Sequence, residues 1–403
     1  MLTLITVSPD FLLGQSPAFI NYNQSNGLPS NEAYYVYQDH QGFVWMSTDN
    51  GAVRFDGHDF MLYNKQNGMA DNVNFAIYSD SKHRLWFRSY SGAVTIYDSG
   101  EVIRHPLNNL ILELQGKNIM HSMSIDKSNR AYLPLAGRIL VIDENNNYRI
   151  EPLPEKSLVI RSVEGSDPIV LHQYNITDVK QVVYDGKSLP IQNYIKPSRS
   201  GLAGVKVFMG KTYFFVDSNL YEINASGFKK VAETKQPIIS LSIIHNRMWL
   251  GLKSGGLNVY DGQHLKHLNF DVLDELSVTS TLQDINNGIW ISTLERGVFY
   301  FPNISIANYH YPFNSKINAV TFGDDCAYFG NYDGSLYKFS PSSGSYQLIN
   351  RYESPVVGIL YVPSKKNLFV STGSNSYILN TQEKSNEKAL LAKEVVYGLK
   401  TFS

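Results

Sequence analysis

Short apolar runs alternate with polar turns along nearly the whole chain, and the stretch from Asn31 to Asp59 shows the unit most plainly. Tyr35-Val36-Tyr37, Phe43 to Thr48, Ala52 to Phe55 and Phe60 to Tyr63 read as four strands. Between them stand Asp39-His40-Gln41-Gly42, Asp49-Asn50-Gly51 and Asp56-Gly57. Asp side chains in such turns bond to nearby backbone, and Gly supplies positive φ. Runs this short, broken this often by Asp and Gly, predict antiparallel hairpins.

The unit then recurs. Gly68-Met69-Ala70-Asp71-Asn72 repeats Gly27-Leu28-Pro29-Ser30-Asn31, and Leu85-Trp86-Phe87 repeats Val44-Trp45-Met46. Trp45 and Trp86 are 41 residues apart, as are Trp249 and Trp290. A period near 40 with several strands per repeat is the signature of a propeller. The third unit runs from Met123 to Asp143, with Tyr132 at the Trp position. The fourth has strands near Leu158 to Val163, Pro168 to Tyr174 and Val179 to Tyr184, and the fifth spans Val205 to Asn224. The sixth holds Met248-Trp249-Leu250-Gly251 and the seventh Gly288 to Val298. The eighth holds Ala327 to Leu336, the ninth Asn367 to Gly373, and Val395-Val396-Tyr397 reads as the start of a tenth. Only Leu107 to Leu114 and Glu387 to Glu394 carry helix signals, both between units.

One four-stranded meander cannot bury both its faces, so such units stack around an axis. The expected fold is therefore all-β, a propeller of about nine four-stranded blades. Nine exceed the four to eight of an ordinary ring. The reading is a seven-bladed ring over residues 19–302, followed by the opening blades of a second, incomplete ring over 303–403. Phe19 to Tyr22, an orphan strand, would pair beside Val298 to Phe301 and close the first ring. One larger ring is the competing arrangement. The repeated Trp residues are expected to fill the space between blades, where each large ring buries much area. Residues 1–18 read as a truncated signal peptide or a disordered lead-in: the run is apolar but lacks a basic start.

Composition sharpens this picture. The 403 residues include 27 Tyr and 20 Phe, which suit strands. The formal net charge is −1, so no long-range field recruits nucleic acid. The single cysteine, Cys326, excludes an intrachain disulfide and reads as a packing thiol. No later stretch approaches the ~18 apolar residues of a membrane helix.

No enzyme constellation appears. The sequence has no phosphate-binding Gly loop, HExxH or CxxC motif. His40, His58, His83, His105 and His121 lie on different units without metal-ligand spacing. Asp39, Asp80 and Asp126 occupy the repeated first turn, where a turn role is expected. No catalytic residue, metal or cofactor is therefore assigned. Binding is expected on the face shared by the loops entering the first strand and those between the second and third. There the candidates are Asn31, Asp49, Asn50, Asn72, Tyr90, Lys253, Arg296 and Tyr332. Amides, charged groups and Tyr suit hydroxyl recognition and ring stacking.

The pattern Asp39-His40-Gln41-Gly42, Val44-Trp45-Met46, Thr48-Asp49-Asn50-Gly51 and Arg54-Phe55-Asp56-Gly57 resembles the two-component regulator propeller repeat. The resemblance is strong in units one, two, six and seven and weak in three to five. It implies the periplasmic sensor region of an inner-membrane histidine kinase of Bacteroidetes type. In that family, propellers are followed by a β-sandwich, a membrane helix and a kinase. The chain is then expected to be a fragment or excised sensor portion, with those downstream parts as partners and a homodimer in the full-length protein. The resemblance implies an oligosaccharide or other small ligand and no catalysis. A carbohydrate-active propeller enzyme, lyase or glycosidase, and a protein-binding scaffold are the rival readings.

Overall fold

The computed structural model describes residues 17–116, 123–135, 137–152, 157–160, 169–175, 178–184, 187–190, 203–224, 227–304, 313–341, 345–381 and 388–392. In them lie nine four-stranded antiparallel sheets, one α-helix and three short 3-10 turns. The chain divides into two compact units, one spanning Ser16–Ile306 and the other built from Ala307–Ser403. Among the described residues no helix is long and apolar enough to cross a membrane.

The first unit holds seven blades. Blade 1 consists of Ala33–Gln38, Val44–Thr48, Gly51–Phe55 and Phe60–Tyr63, and blade 2 of Asn74–Ser79, Leu85–Ser89, Val94–Asp98 and Glu101–Arg104. Blade 3 starts at Ser124–Ile125, blade 4 at Ser157–Ile160, blade 5 at Ala203–Phe208 and blade 6 at Ile238–Ile244. Blade 7 takes three strands, Val278–Gln283, Ile289–Thr293 and Val298–Phe301, from one end of the unit. Its fourth, Ile20–Tyr22, comes from the other end, with Ile20 opposite Tyr300 and Tyr22 opposite Val298. This is the pairing expected of the orphan strand. The first strand of blade 1 packs against blade 2 on one side and blade 7 on the other. Further bonds tie blades 7 and 1: Thr279 Oγ1 donates to the Ala33 carbonyl at 2.7 Å, and Gly297 N–H to that of Asn31 at 2.7 Å.

The burial pattern along each strand follows from stacking. Second strands are covered on both faces, so every residue of Val44–Thr48, Leu85–Ser89 and Ile289–Thr293 is buried. Outer strands such as Glu101–Arg104 are mostly exposed. The Trp residues lie between blades as expected, with exposures of 0 % for Trp45, 3 % for Trp86, 1 % for Trp249 and 4 % for Trp290. Trp45 packs with Ile77, Leu85 and Phe87 of blade 2, and Trp290 with Val36, Met46 and Phe55 of blade 1.

Each Trp in blades 1, 2 and 7 is fixed by the Asp six residues before it. In blade 1, Asp39 Oδ1 accepts the N–H groups of Gln41 and Phe43, both at 3.0 Å, while Oδ2 accepts Trp45 Nε1 at 2.7 Å. Asp80 holds Trp86 Nε1 at 3.0 Å and Asp284 holds Trp290 Nε1 at 2.9 Å in the same way. In blade 3 Asp126 receives the Tyr132 hydroxyl at 3.2 Å. Blade 6 departs from the rule. Its first turn is His245-Asn246, with φ of 48° and 53°, a two-residue hairpin loop without Asp. Trp249 Nε1 is accordingly buried with no hydrogen-bond partner.

The turn glycines between second and third strands are demanded by close approach. A Cβ on Gly51 would lie 2.4 Å from the Tyr63 carbonyl oxygen, and one on Gly297 2.2 Å from that of Tyr22. Both have positive φ, 138° and 74°.

The expected helix near 107–114 forms over Asn108–Gln115. Its Asn108 side chain accepts from Val94 N–H at 2.8 Å and donates to the Val94 carbonyl at 2.9 Å, pinning the helix to blade 2. Beside it His105 is buried, its Nδ1 accepting Leu107 N–H at 3.2 Å and its ring 5.4 Å from Trp86. Burial, with the charge of Arg84 adding to it, pushes this imidazole down to about 4.

The second unit holds two blades. One comprises Ile317–Phe322, Ala327–Asn331, Ser335–Ser340 and Ser345–Arg351; the other Val356–Val362, Asn367–Thr372, Ser376–Asn380 and Lys388–Ala392. The last strand corrects the helix expected over Glu387 to Glu394. Lys388, Ala389 and Leu390 pair with Leu379, Ile378 and Tyr377, and that ladder overrides the local helix preference of Glu, Lys, Ala and Leu. Residues 1–16 and 395–397, where the lead-in and a tenth unit were expected, lie outside the described residues.

Two outcomes follow from these contacts. Asp284→Ala strips three donors of their acceptor and should cost about 2–4 kcal/mol in urea unfolding. Trp290→Phe should then cost about 1 kcal/mol more than Trp249→Phe, whose indole makes no bond; equal costs would deny the Asp–Trp bond its role. For His105, the folded pKa lies below the unfolded 6.5, so the unfolded chain takes up the proton first. Its contribution is complete above pH ~6.5 and is lost as pH falls toward 4, by up to about 3 kcal/mol. His105→Leu should flatten that part of the melting temperature–pH curve, and an unchanged slope would refute the assignment.

Candidate functional site

A channel of about 1300 Å³ runs through the first unit, lined by first strands of blades 1, 2, 5, 6 and 7. Its shape is set by one repeated irregularity. In blade 1, Ala33 pairs with Thr48 and Tyr35 with Ser47, so Tyr34 is left out of the ladder. The same skip leaves out Phe75 in blade 2, Ile239 in blade 6 and Thr279 in blade 7. A β-bulge bends the strand and re-aims the extra side chain. All four of these residues line the channel.

Blades 1 and 2 contribute aromatic rings here. Tyr34 and Phe75 meet edge to face with centroids 4.8 Å apart, and Phe75 and Tyr90 do so at 5.7 Å. The Arg88 guanidinium lies 5.3 Å from the Phe75 ring centre. Such a stack holds the cation in a fixed plane. Tyr34 donates to Glu32 Oε1 at 2.9 Å. Its phenol is pushed far above its ordinary range by burial first, then by that bond and by the charges of Glu32 and Asp49. Deeper in the channel Tyr35, with its pKa raised to about 12 chiefly by burial, and Tyr37 and Tyr78 add further ring surface.

Arg88 stands out by position. In the ladder it faces Ala76, and the corresponding second-strand residues are Ser47 in blade 1, Gly251 in blade 6 and Ser292 in blade 7. Blade 5 carries Phe215 there, opposite Gly204, and blade 2 an arginine that is only 8 % exposed. Lys206 and Lys253 also line the channel. Its acidic lining residue among those described, Asp284, has both oxygens engaged by Asn286, Gly288 and Trp290.

The eight residues expected from sequence divide into distinct roles. Asn31 and Asn72 hold loops. Asn31 Oδ1 accepts Gln24 N–H and Asn72 Oδ1 accepts Lys65 N–H, each at 3.0 Å, across matching 3-10 turns capped by Asn23 and Asn64. Asn50 is exposed and its amide reaches the Pro29 carbonyl at 3.4 Å. Arg296 lies at the junction of blades 7 and 1: its carbonyl accepts the Asn21 amide at 2.8 Å and its guanidinium sits 5.9 Å from the Phe299 ring centre. Tyr332 belongs to the second unit, where it borders an open groove of about 670 Å³ with Asn318 and Asp333. Lys253 lines the channel, Tyr90 packs on the lining Phe75 without lining it, and Asp49 does not line it. Reasoning from loops missed Tyr34, Phe75 and Arg88, which sit on strands. An arginine aligned with Ser47, Gly251 and Ser292 was a signal available in the repeat itself.

The first-turn aspartates are bound up in turns, as expected. Among the described residues no three His, Cys, Asp or Glu side chains converge as metal ligands.

Residues 27–50 match the family described as two-component regulator propeller. They span the loop at Gly27, the first strand, the Asp39 turn and the Trp45 strand. Among solved structures, the chain resembles the extracellular domain assigned to hybrid two-component system BT3049 of B. thetaiotaomicron. The two are 18% identical with a TM-score of 0.65, over 95% of this chain and 55% of that one. The corresponding domain of BT4673 from the same organism matches at 12% identity and a TM-score of 0.54, over 91% and 53%. The chain thus spans about half the length of these domains. A streptogramin B lyase shares the fold at 11% identity and a TM-score of 0.52, over 70% and 96%. No curated protein sequence matches.

Proposed function

We propose that this chain, which carries the two-component regulator propeller repeat, is a non-catalytic, periplasmic ligand-sensing portion of a two-component sensor. In this reading residues 19–302 form a closed seven-bladed ring, residues 303–403 open a second, and signalling parts of a longer protein carry the output. The observation that carries it is the set of bulged residues, Tyr34, Phe75, Ile239 and Thr279, turned into one channel. The same skip recurs at Asn318 and Val357 in the second unit, so the bulge belongs to the blade; what differs is the side chain it presents, and in blades 1 and 2 that is an aromatic ring. A 1300 Å³ channel with aromatic walls suits a small organic ligand, an oligosaccharide among them. Binding would act by favouring one arrangement of the sensor over another.

The likeness to a lyase fold makes turnover the rival reading. Against it, the aspartate that lines the channel spends its carboxylate on a turn and an indole.

A thermal-shift screen against a panel of neutral and acidic saccharides, with chromatography of each mixture, separates the two. The expected result is a raised melting temperature without new products, and a loss of about tenfold in affinity for Phe75→Ala. Product formation would sink the sensing reading in favour of an enzyme.

A further inference from the structure

We propose that the chain carries a preferred site of spontaneous covalent modification at Asn50, whose amide is converted to a carboxylate after attack by the Gly51 backbone nitrogen. This holds whether or not the chain senses a ligand.

The sequence contains four Asn-Gly pairs: Asn26-Gly27, Asn50-Gly51, Asn67-Gly68 and Asn287-Gly288. In each, the attacking nitrogen belongs to glycine, which has no side chain to obstruct it. The Asn is exposed in all four. Neither the dipeptide nor its exposure separates them, so the difference lies in what holds the reacting groups.

Three of the four are restrained. Asn26 Oδ1 accepts the Asn23 N–H at 2.7 Å, and its Nδ2 donates to the Asn21 carbonyl at 2.6 Å. Asn67 repeats both bonds, accepting the Asn64 N–H at 2.5 Å and donating to the Leu62 carbonyl at 2.7 Å. Each pair belongs to the capping box of a 3-10 turn, so rotating the amide would undo the cap. Asn287 Oδ1 accepts Gln283 Nε2 at 2.9 Å, and its attacking nitrogen, Gly288 N–H, donates to Asp284 Oδ1 at 2.8 Å. A carboxylate acceptor makes that bond a strong one.

Asn50 differs. Its side chain makes one long contact, Nδ2 to the Pro29 carbonyl at 3.4 Å, and its oxygen accepts no hydrogen bond among the described residues. It stands at the tip of the hairpin between the second and third strands of blade 1, where Thr48 and Gly51 form the last rung. Ladder ends open more readily than ladder centres.

In the reaction, the Gly51 nitrogen gives its proton to solvent base and attacks Asn50 Cγ. The N–Cγ bond forms, the Cγ–Nδ2 bond breaks, and Nδ2 leaves as ammonia with a proton from water. Water then opens the cyclic imide at either carbonyl. Opening at Cγ restores the ordinary backbone and leaves an aspartate; opening at the main-chain carbonyl routes the backbone through Cβ and Cγ as isoaspartate. The net change consumes one water and releases one ammonia, with nothing oxidised or reduced. The first product sets a second carboxylate beside Asp49. The second lengthens the backbone next to Gly51, where even an added Cβ would lie 2.4 Å from the Tyr63 carbonyl oxygen, and so loosens the hairpin.

The test is peptide mapping by mass spectrometry after the intact chain has been incubated in mildly alkaline buffer, folded and, in parallel, unfolded in urea. In the folded chain Asn50 is expected to convert about tenfold faster than Asn26, Asn67 or Asn287, the factor that intact hydrogen bonds impose on those three. In urea these restraints are gone and the gap should close. Asn50→Gln should melt as the parent does, because the position is exposed, and should release markedly less ammonia from the folded chain. Conversion of any of the other three as fast as Asn50 in the folded chain would overturn the inference. So would the same spread of rates in urea, or an Asn50 that stays intact in the folded chain while the urea sample reacts.

Discussion

The bond from an indole N–H to the carboxylate six residues earlier is the constraint on which the rest of this propeller depends. One Asp oxygen gathers two backbone N–H groups and so shapes the turn between the first two strands. The other oxygen orients the Trp of the second strand. A buried indole without an acceptor costs free energy, and an indole free to rotate fills space poorly. By satisfying the polar atom and fixing the ring, a single carboxylate converts a local turn into a packed contact with the next blade. Blade 6 shows the alternative. It keeps the ring and the packing, and leaves Trp249 Nε1 unmatched.

That division of labour explains why the channel is free to vary. The blades are held apart and in register by residues on their second strands and first turns. The first strands also touch their neighbours, and they carry a bulge at the same step in blade after blade. A bulge sacrifices a ladder position, and here the four freed side chains are a tyrosine, a phenylalanine, an isoleucine and a threonine. Chemistry at the axis thus changes from blade to blade while the stacking does not.

The same logic decides what was legible in the sequence. Turns and Trp strands repeat because every blade needs them, so the Asp39, Asp80 and Asp284 units could be aligned by eye and the closing strand at Ile20–Tyr22 could be anticipated. Even blade 4, which has no Trp, showed its strands through apolar runs. The bulges were not legible, because which residue leaves the ladder depends on hydrogen bonding between strands and not on residue type. Asn31 and Asn72 were read as recognition residues, yet their repetition at matched positions was the mark of a loop support. Repetition pointed to structure throughout; residues that vary at one matched position, such as Ser47, Arg88 and Phe215, line or border the channel.

The clasp in blade 7 has a consequence in time. Ile20–Tyr22 is among the first described segments to be synthesised, and its partner Val298–Phe301 follows some 275 residues later. At ~5–20 residues per second, an unpaired strand carrying Tyr22 would wait roughly 15–60 s. During that interval the inner blades can form one by one from hairpins, whose contacts are local. The first segment, though, is a bare edge of the kind that recruits foreign strands. Its brevity, three residues with Asn21 at the centre, limits that hazard during synthesis and still suffices once Trp290 is present to stack on Tyr22.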